Sequence, residues 1–451
     1  MAGSATLSMS ILFCILATAT AIITQTDVAI DEAYAHLVNL TGDQEHWAER
    51  TEAARSYNRA AYMSDPVANM DRFNDGVRRA METTRARSLE GKFQQGQCAA
   101  TNPIDQCWRC RGDWAKDRKR LATCAMGFGH KATGGLAGKI YVVTDPTDGP
   151  QNLVNPRVGT LRHAVVQDEP LWITFARDMV VVLSNELIVN SDKTIDGRGA
   201  QVHITGAQIT LQHVNNVIVH GVHIHDARPH EGGVIRDSGR HSGVRGKSDG
   251  DGISVIGSSN VWIDHVSMHG CAGGLIDVVD GSTAVTISNG HFTKHDNVML
   301  FGDSDDSPKD KIMQVTVAFN HFGKGLVQRM PRCRYGFFHV VNNDYTNWQT
   351  YAIGGSQDPT IISQGNRFRA GDDKNFKEVT KREDTPETEY KDWVWKSQGD
   401  LFLNGAFFNP SGGQNERQFD KLDLIQAKSG QFAESLTKFA GALNCRAGKE
   451  C

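Results

Sequence analysis

Four segments decide the architecture when laid one beneath another: Ala284-Val-Thr-Ile-Ser-Asn-Gly-His-Phe292, Gln314-Val-Thr-Val-Ala-Phe-Asn-His-Phe322, Phe337-Phe-His-Val-Val-Asn-Asn-Asp-Tyr345 and Thr360-Ile-Ile-Ser-Gln-Gly-Asn-Arg-Phe368. Each is a short β-branched run closed by polar turn residues and an aromatic ring. Asn320, Asn343 and Asn366 hold one place in this frame, spaced 23 residues apart. Upstream, Asn216-Val-Ile-Val-His-Gly-Val-His-Ile224 and Asn260-Val-Trp-Ile-Asp-His-Val-Ser-Met268 belong to the same series. They stand 44 residues apart, a spacing read as two coils. A short period with one Asn per period points to a solenoid of parallel strands. Equivalent residues then stack at about 4.8 Å, so the Asn amides can hydrogen-bond from rung to rung while holding a turn. The Leu-x-x-Leu-x-Leu frame of a leucine-rich horseshoe is missing. The fold class is therefore all-β, a parallel β-helix, with a small helical N-terminal extension.

Outward from the repeat, the composition agrees. The chain has 451 residues, 39% hydrophobic and 22% charged, with a formal net charge of −4. Those fractions exclude a disordered chain, a multi-span membrane protein and a collagen-like fibre. The near-neutral balance argues against a nucleic-acid partner or an anionic membrane, so any polyanionic ligand must meet positive charge gathered locally. The 45 Gly against 12 Pro suit many tight turns between short elements.

Ahead of the repeat the chain divides. An apolar block at 11–16 leads to Ala17-Thr-Ala-Thr-Ala21, and the first charged side chain is Asp27. This reads as a signal peptide over 1–21, hence a secreted protein with no membrane attachment afterwards. Residues 22–95 mix apolar residues at helical spacing with many Glu and Arg, as in Trp47-Ala-Glu-Arg-Thr-Glu-Ala-Ala-Arg55 and in Phe73, Val77 and Met81. Asn39-Leu-Thr41 is a glycosylation sequon. Eight Cys remain after the signal, four within 98–124 and two at the C-terminus, which in a secreted chain reads as disulfides. Cys107-Trp-Arg-Cys110 raises zinc as a rival, but no second regular ligand pair follows. Cys271 and Cys333 are isolated, as buried thiols would be. The β-helix is placed at 96–400, with 401–451 as a tail packed along it.

Three stretches carry chemistry. Ser248-Asp-Gly-Asp-Gly252 offers Asp249 and Asp251, hard oxygen donors suited to a calcium ion, or simply a turn. Asp277 follows 26 residues after Asp251, about one coil later, and would lie beside them. Three unpaired carboxylates repel, and a cation resolves that cost. Two coils further, Gln328-Arg-Met-Pro-Arg-Cys-Arg334 places three Arg within six residues. Guanidinium presents a planar donor fork that matches carboxylates. A cation on one side and Arg on the other would grip a polyanionic sugar.

The segments Trp262-Ile-Asp-His265, Arg329-Met-Pro-Arg-Cys-Arg334, His339-Val-Val-Asn-Asn-Asp344, Tyr351-Ala-Ile-Gly-Gly355 and Ser363-Gln-Gly-Asn-Arg367 together resemble the plant pectate lyases of polysaccharide lyase family 1. The likeness runs from about residue 96 to the C-terminus. The resemblance implies a right-handed parallel β-helix, a calcium cofactor and a β-elimination on polygalacturonate in the cell wall, by a monomer. It implies Arg329 as the Brønsted base, Arg334 and Arg332 as substrate-binding residues, and Asp249, Asp251 and Asp277 as calcium ligands. Because nearby cations disfavour a protonated guanidinium, activity is expected to rise into alkaline pH.

The sequence also departs from that family. Gly273 stands where plant relatives usually carry a calcium-binding Asp, which predicts a weaker site; Asp280 is a candidate substitute. Gly290 and Val266 replace ladder Asn residues. The Gly273 change motivates an alternative reading, a non-catalytic secreted pectin-binding β-helix. A hydrolase of the polygalacturonase type would need converging acid and base carboxylates, for which only Asp305-Asp306 offers itself downstream.

Overall fold

The computed structural model describes residues 40–66, 98–383, 385–412 and 425–451. Asn39, the 1–21 segment and the helical spacing of Phe73, Val77 and Met81 lie outside the described residues.

The chain winds through three parallel sheets in turn. A ten-stranded sheet begins at Lys139–Val143 and ends at Trp395–Gln398; a nine-stranded sheet runs from Met179–Val182 to Leu401–Leu403; an eight-stranded sheet runs from Leu187–Ile188 to Thr380–Arg382. One coil takes a strand from each, as Ser259–Asp264, Ser267–His269 and Ile276–Val279 do before Thr283–Ser288 starts the next. This is the expected parallel β-helix.

The quoted segments stack in the anticipated frame. Val285 pairs with Val315, Val315 with Phe338 and Phe338 with Ile361. Asn320 donates to Asn343 Oδ1 at 2.9 Å, and Asn343 donates to Asn366 Oδ1 at 2.9 Å. Asn366 donates onward to Asp400, and at the other end Asn320 Oδ1 accepts the Gly290 amide at 2.7 Å. The missing Asn at position 290 therefore shortens the side-chain ladder by one rung without breaking the turn. Beside it Phe292, Phe322, Tyr345, Phe368 and Phe402 form a continuous ring stack inside the coil.

The spacing from Asn216 to Asn260 is corrected. Val217 pairs directly with Val261 and Val219 with Ile263, so 44 residues make one coil, not two. The surplus is an excursion between His223–Ala227 and Ile253–Ile256 that carries a hairpin, Gly233–Arg236 against Ser242–Arg245. The period misled because an insertion between rungs leaves the strand register untouched.

Both faces of the ten-stranded sheet are buried, which explains its nearly continuous apolar runs. Inward residues such as Val261, Ile263, Val285 and Ile287 join the coil interior. Outward residues Trp172, Ile218 and Trp262 join a second core with Ile104, Trp108, Leu121 and Leu436. The cover is the Cys-rich segment, held by Cys98–Cys110 and Cys107–Cys124, together with the C-terminal stretch closed by Cys445–Cys451. Those pairings displace the zinc reading, and Cys271 and Cys333 are free and buried as expected. The helix Leu40–Ala61 lies over the turns that follow the eight-stranded sheet. There Asn58 donates to the carbonyls of Gly257 and Gly281, one on each of two successive coils.

Candidate functional site

The outer face of the eight-stranded sheet positions the site. Period-two alternation turns Ile276, Val278, Met299 and Phe301 into the core and leaves a column outside. By register that column reads Thr210, Ser254, Asp277, Leu300, Arg332 and Gly354. Asp277 and Arg332 are two rungs apart, roughly 9.6 Å along the hydrogen-bonding direction. Arg329 stands just ahead of the Arg332–Arg334 strand, its carbonyl accepting the Met299 amide at 2.7 Å. The sheet thus brings the acidic and basic stretches onto one face, as the coil arithmetic required.

On the acidic side, Asp251 is buried. Its Oδ2 accepts from Ser254 Oγ at 2.7 Å and its Oδ1 from the Gly274 amide at 2.6 Å. Burial pushes its pKa up despite those bonds. Asp277 has a buried Oδ1 with no hydrogen-bond partner. Burial first and the Asp251 carboxylate second hold its pKa well above the usual range, with the Leu300 main chain and Arg329 pulling the other way. Asp249 is exposed. Ligand oxygens of the three do not gather within 4.8 Å of one another; among the described residues only His46, Asp237 and His241 form such a group. Register explains the gap: Ser254, not Asp251, is level with Asp277. An orphaned carboxylate oxygen beside a second buried carboxylate, in an all-oxygen donor set, fits a hard cation such as calcium.

The position of Gly273 bears on this directly. A Cβ there would fall 2.1 Å from Asp251 Oδ1, and one on Gly274 would fall 2.3 Å from Asp277 Oδ1. Both carboxylates lean on the glycine pair, so Asp251 occupies the space a side chain at 273 would need. Asp280 does not substitute. It sits at the far end of its strand, paired with Lys309 and 4.0 Å from His213.

The three Arg are sorted by their neighbours. Arg332 is buried and its Nε, which makes no hydrogen bond, lies in ion-pair contact with Glu383, which also accepts from Tyr351 Oη at 2.8 Å. Arg334 donates through Nε to Asp305 Oδ1 at 2.6 Å and through Nη1 to the Gly302 carbonyl at 2.7 Å. Asp305 also accepts from Ser356 and is committed to holding Arg334, which removes it as half of a hydrolytic pair. The Arg329 side chain makes no hydrogen bond or ion pair to a described residue, and its Nε is buried without a partner. Its φ is +62°, a left-handed backbone that seventeen other described non-glycine residues of this chain share, so the conformation itself does not single it out. Glu383 and Asp305 were missed as the residues that orient the Arg cluster. Nothing local marks them, since each reaches its partner across a coil.

Around this row, His295 Nε2 contacts the Gly273 carbonyl at 2.9 Å, and Gln328 donates to Asn297 Oδ1 at 3.0 Å. The second bond joins the strands His295–Asn297 and Leu326–Gln328, which pair in parallel on successive coils between the acidic and basic stretches. The Trp262-Ile-Asp-His265 motif lies elsewhere. Its Trp262 and Asp264 face the second core, and His265 contacts Asp105 at 2.7 Å and the Gly441 carbonyl at 2.9 Å.

Comparison with known proteins bears on the chemistry of such a face. The family model described as pectate lyase matches residues 175–392, and the model described as pectate lyase, N terminus, matches 39–92. A pectate lyase of Lilium longiflorum is 58% identical over 414 residues, covering 92% of this chain and 95% of the relative. Probable pectate lyase 5 of Arabidopsis thaliana is 61% identical over 355 residues, covering 78% of this chain and 86% of the relative. Among solved structures, jun a 1, the major allergen from cedar pollen, is 44% identical with a TM-score of 0.73, covering 76% of this chain and 100% of that one.

Proposed function

Because the chain belongs to the pectate lyase family and is a pectate lyase, we propose that it cleaves de-esterified (1→4)-α-D-galacturonan by β-elimination on the outer face of the eight-stranded sheet, with Arg329 as the base. The observation that carries this reading is an Arg329 guanidinium with no hydrogen bond or ion pair to a described residue, within electrostatic reach of Asp277, beside two Arg residues that are ion-paired. The enzyme reading is favoured over the non-catalytic pectin-binding alternative by the named lyases that this chain resembles over most of its length.

Asp251 and Asp277, with Asp249 from the exposed side, would hold a calcium ion. An ion held by these carboxylates would supply charge neutralisation at the C6 carboxylate of a galacturonate and stabilisation of charge developing at C5. The remaining work falls to side chains. The free N–H groups of Arg334 and Arg332 hold neighbouring uronate carboxylates, each guanidinium being fixed by Asp305 or Glu383. Arg329, as the neutral guanidine left after losing a proton to solvent, takes the C5 proton; the C5–H electron pair forms the C4=C5 double bond; the C4–O bond breaks, and the departing chain takes a proton from solvent. Secretion to the wall, where this substrate lies, agrees with the disulfide-closed segments.

Polygalacturonate with added calcium should yield unsaturated ends, read as ultraviolet absorbance. Arg329→Lys keeps the charge but moves the nitrogen, and kcat should fall at least ~100-fold. Reducing ends without absorbance would replace elimination by hydrolysis. Retained turnover in Arg329→Lys would remove Arg329 as the base.

A further inference from the structure

We propose that His46, Asp237 and His241 form a binding site for a divalent cation of the zinc class, which clamps the N-terminal helix to the hairpin of the β-helix. His46 lies near the start of the helix Leu40–Ala61; Asp237 and His241 flank the turn between Gly233–Arg236 and Ser242–Arg245. One ligand atom from each lies within 4.8 Å of the other two.

The separations are those a metal asks for. Zinc with ligands at about 2.05 Å in a tetrahedron sets its donor atoms about 3.3 Å apart. His46 Nε2 stands 3.4 Å from Asp237 Oδ1, and His241 Nδ1 stands 3.0 Å from the same oxygen and 2.8 Å from Asp237 Oδ2, a hydrogen bond that a bound ion would replace. Asp237 is fully buried, and His46 Nε2 is a buried nitrogen with no hydrogen-bond partner. The two imidazoles are stacked, 3.8 Å between centroids and 11° apart, both beside Asp237; an ion shared by them would turn the rings out of that stack, because in-plane lone pairs on parallel rings do not converge.

A further group completes the pattern. His241 Nε2 is 3.4 Å from Asp43 Oδ1, another buried atom without a hydrogen-bond partner. A ligating His usually turns its second nitrogen to a carboxylate, which fixes the tautomer and strengthens the donor. Two imidazoles with one carboxylate suit zinc, nickel or copper and not calcium, so this site and the all-oxygen face of the eight-stranded sheet select different ions. Arg50 donates to the Asp237 carbonyl at 3.2 Å and leaves the carboxylate oxygens to the histidines. The ligands come from chain segments about 190 residues apart, so an ion there ties the extension to the excursion that enlarges the coil.

The test uses the full chain, stripped with a chelator and returned to excess calcium, with Zn2+ added in a calorimeter. The expected result is one Zn2+ per chain. His46→Gln and His241→Ala should each weaken it at least ~100-fold, and Asp43→Asn by roughly 10–100-fold. Co2+ in place of Zn2+ should give the visible spectrum of a tetrahedral centre, lost in both His variants while their far-ultraviolet circular dichroism is unchanged. Wild-type protein that takes up no Zn2+, or His variants that bind as wild type does, would overturn the site and leave a hydrogen-bonded histidine pair.

Discussion

At position 273 a missing side chain shapes the acidic half of the site. Asp251 Oδ1 lies where a Cβ on Gly273 would reach, and it takes the Gly274 amide. Gly273→Asp would add a carboxylate and displace Asp251 from the space it now fills. Calcium affinity depends on ligand charge and number, so the calcium concentration for half-maximal lyase activity should fall about tenfold; an unchanged or higher requirement would show that Asp251 cannot yield. Arg329 is the second case. Three Arg within six residues look equivalent in sequence, yet Glu383 and Asp305 claim two of them. Which Arg stays free is decided by partners 51 and 29 residues away, a distance at which no motif speaks.

At the scale of elements, the polar columns carry the solenoid. Asn343 Oδ1 accepts the Asn320 amide and side chain, and its Nδ2 donates to the Val317 carbonyl and Asn366. Each buried group left unpaired costs about 1–3 kcal/mol. Asn343→Ala should therefore lose about 3 kcal/mol or more in chemical denaturation; a loss within error would make the ladder a passenger. This column was legible because one residue type recurs at one spacing.

The outer face of the nine-stranded sheet carries a different column, His203, His223, Ser267, His291 and His321 in register. His203 stacks on His223 at 4.3 Å and His291 on His321 at 4.9 Å. Burial first, then the neighbouring imidazole, lowers His223 and His291 to about 4. With folded values below the unfolded 6.5, their contribution is complete above pH 6.5 and is lost as pH falls towards 4. Discounted for solvent, each amounts to about 1 kcal/mol. The melting temperature should drop across that window, and His291→Gln should flatten the drop; an identical slope in the variant would place the acid sensitivity elsewhere.

Across the whole molecule, the coil is closed by what covers its ten-stranded sheet. Asp105 from the Cys-rich segment joins Arg109 at 2.6 Å and His265 at 2.7 Å, all buried, and His265 also contacts the Gly441 carbonyl. Burial works against charge on His265, but the Asp105 and Asp264 carboxylates outweigh it and raise its pKa. One buried network therefore pins the segments before and after the solenoid. Asp105→Asn breaks a buried pair and should cost about 3–5 kcal/mol, while KM for polygalacturonate stays unchanged because the network faces away from the site. A shifted KM with normal stability would contradict that separation.

The repeat, the strand faces, the Asn ladder and the family motifs were set by local chemistry: period-two burial and one amide per coil are written directly into the chain. The same chemistry placed the acidic and basic stretches on one face, since a solenoid turns sequence spacing into rungs. Coil length between Asn216 and Asn260, the partners of Arg332 and Arg334, the failure of Asp280 to reach the site and the structural role of Trp262-Ile-Asp-His265 were left to the tertiary fold. Each depends on a contact between coils, or between the solenoid and its cover, where an insertion changes the count of residues but not the distance between side chains.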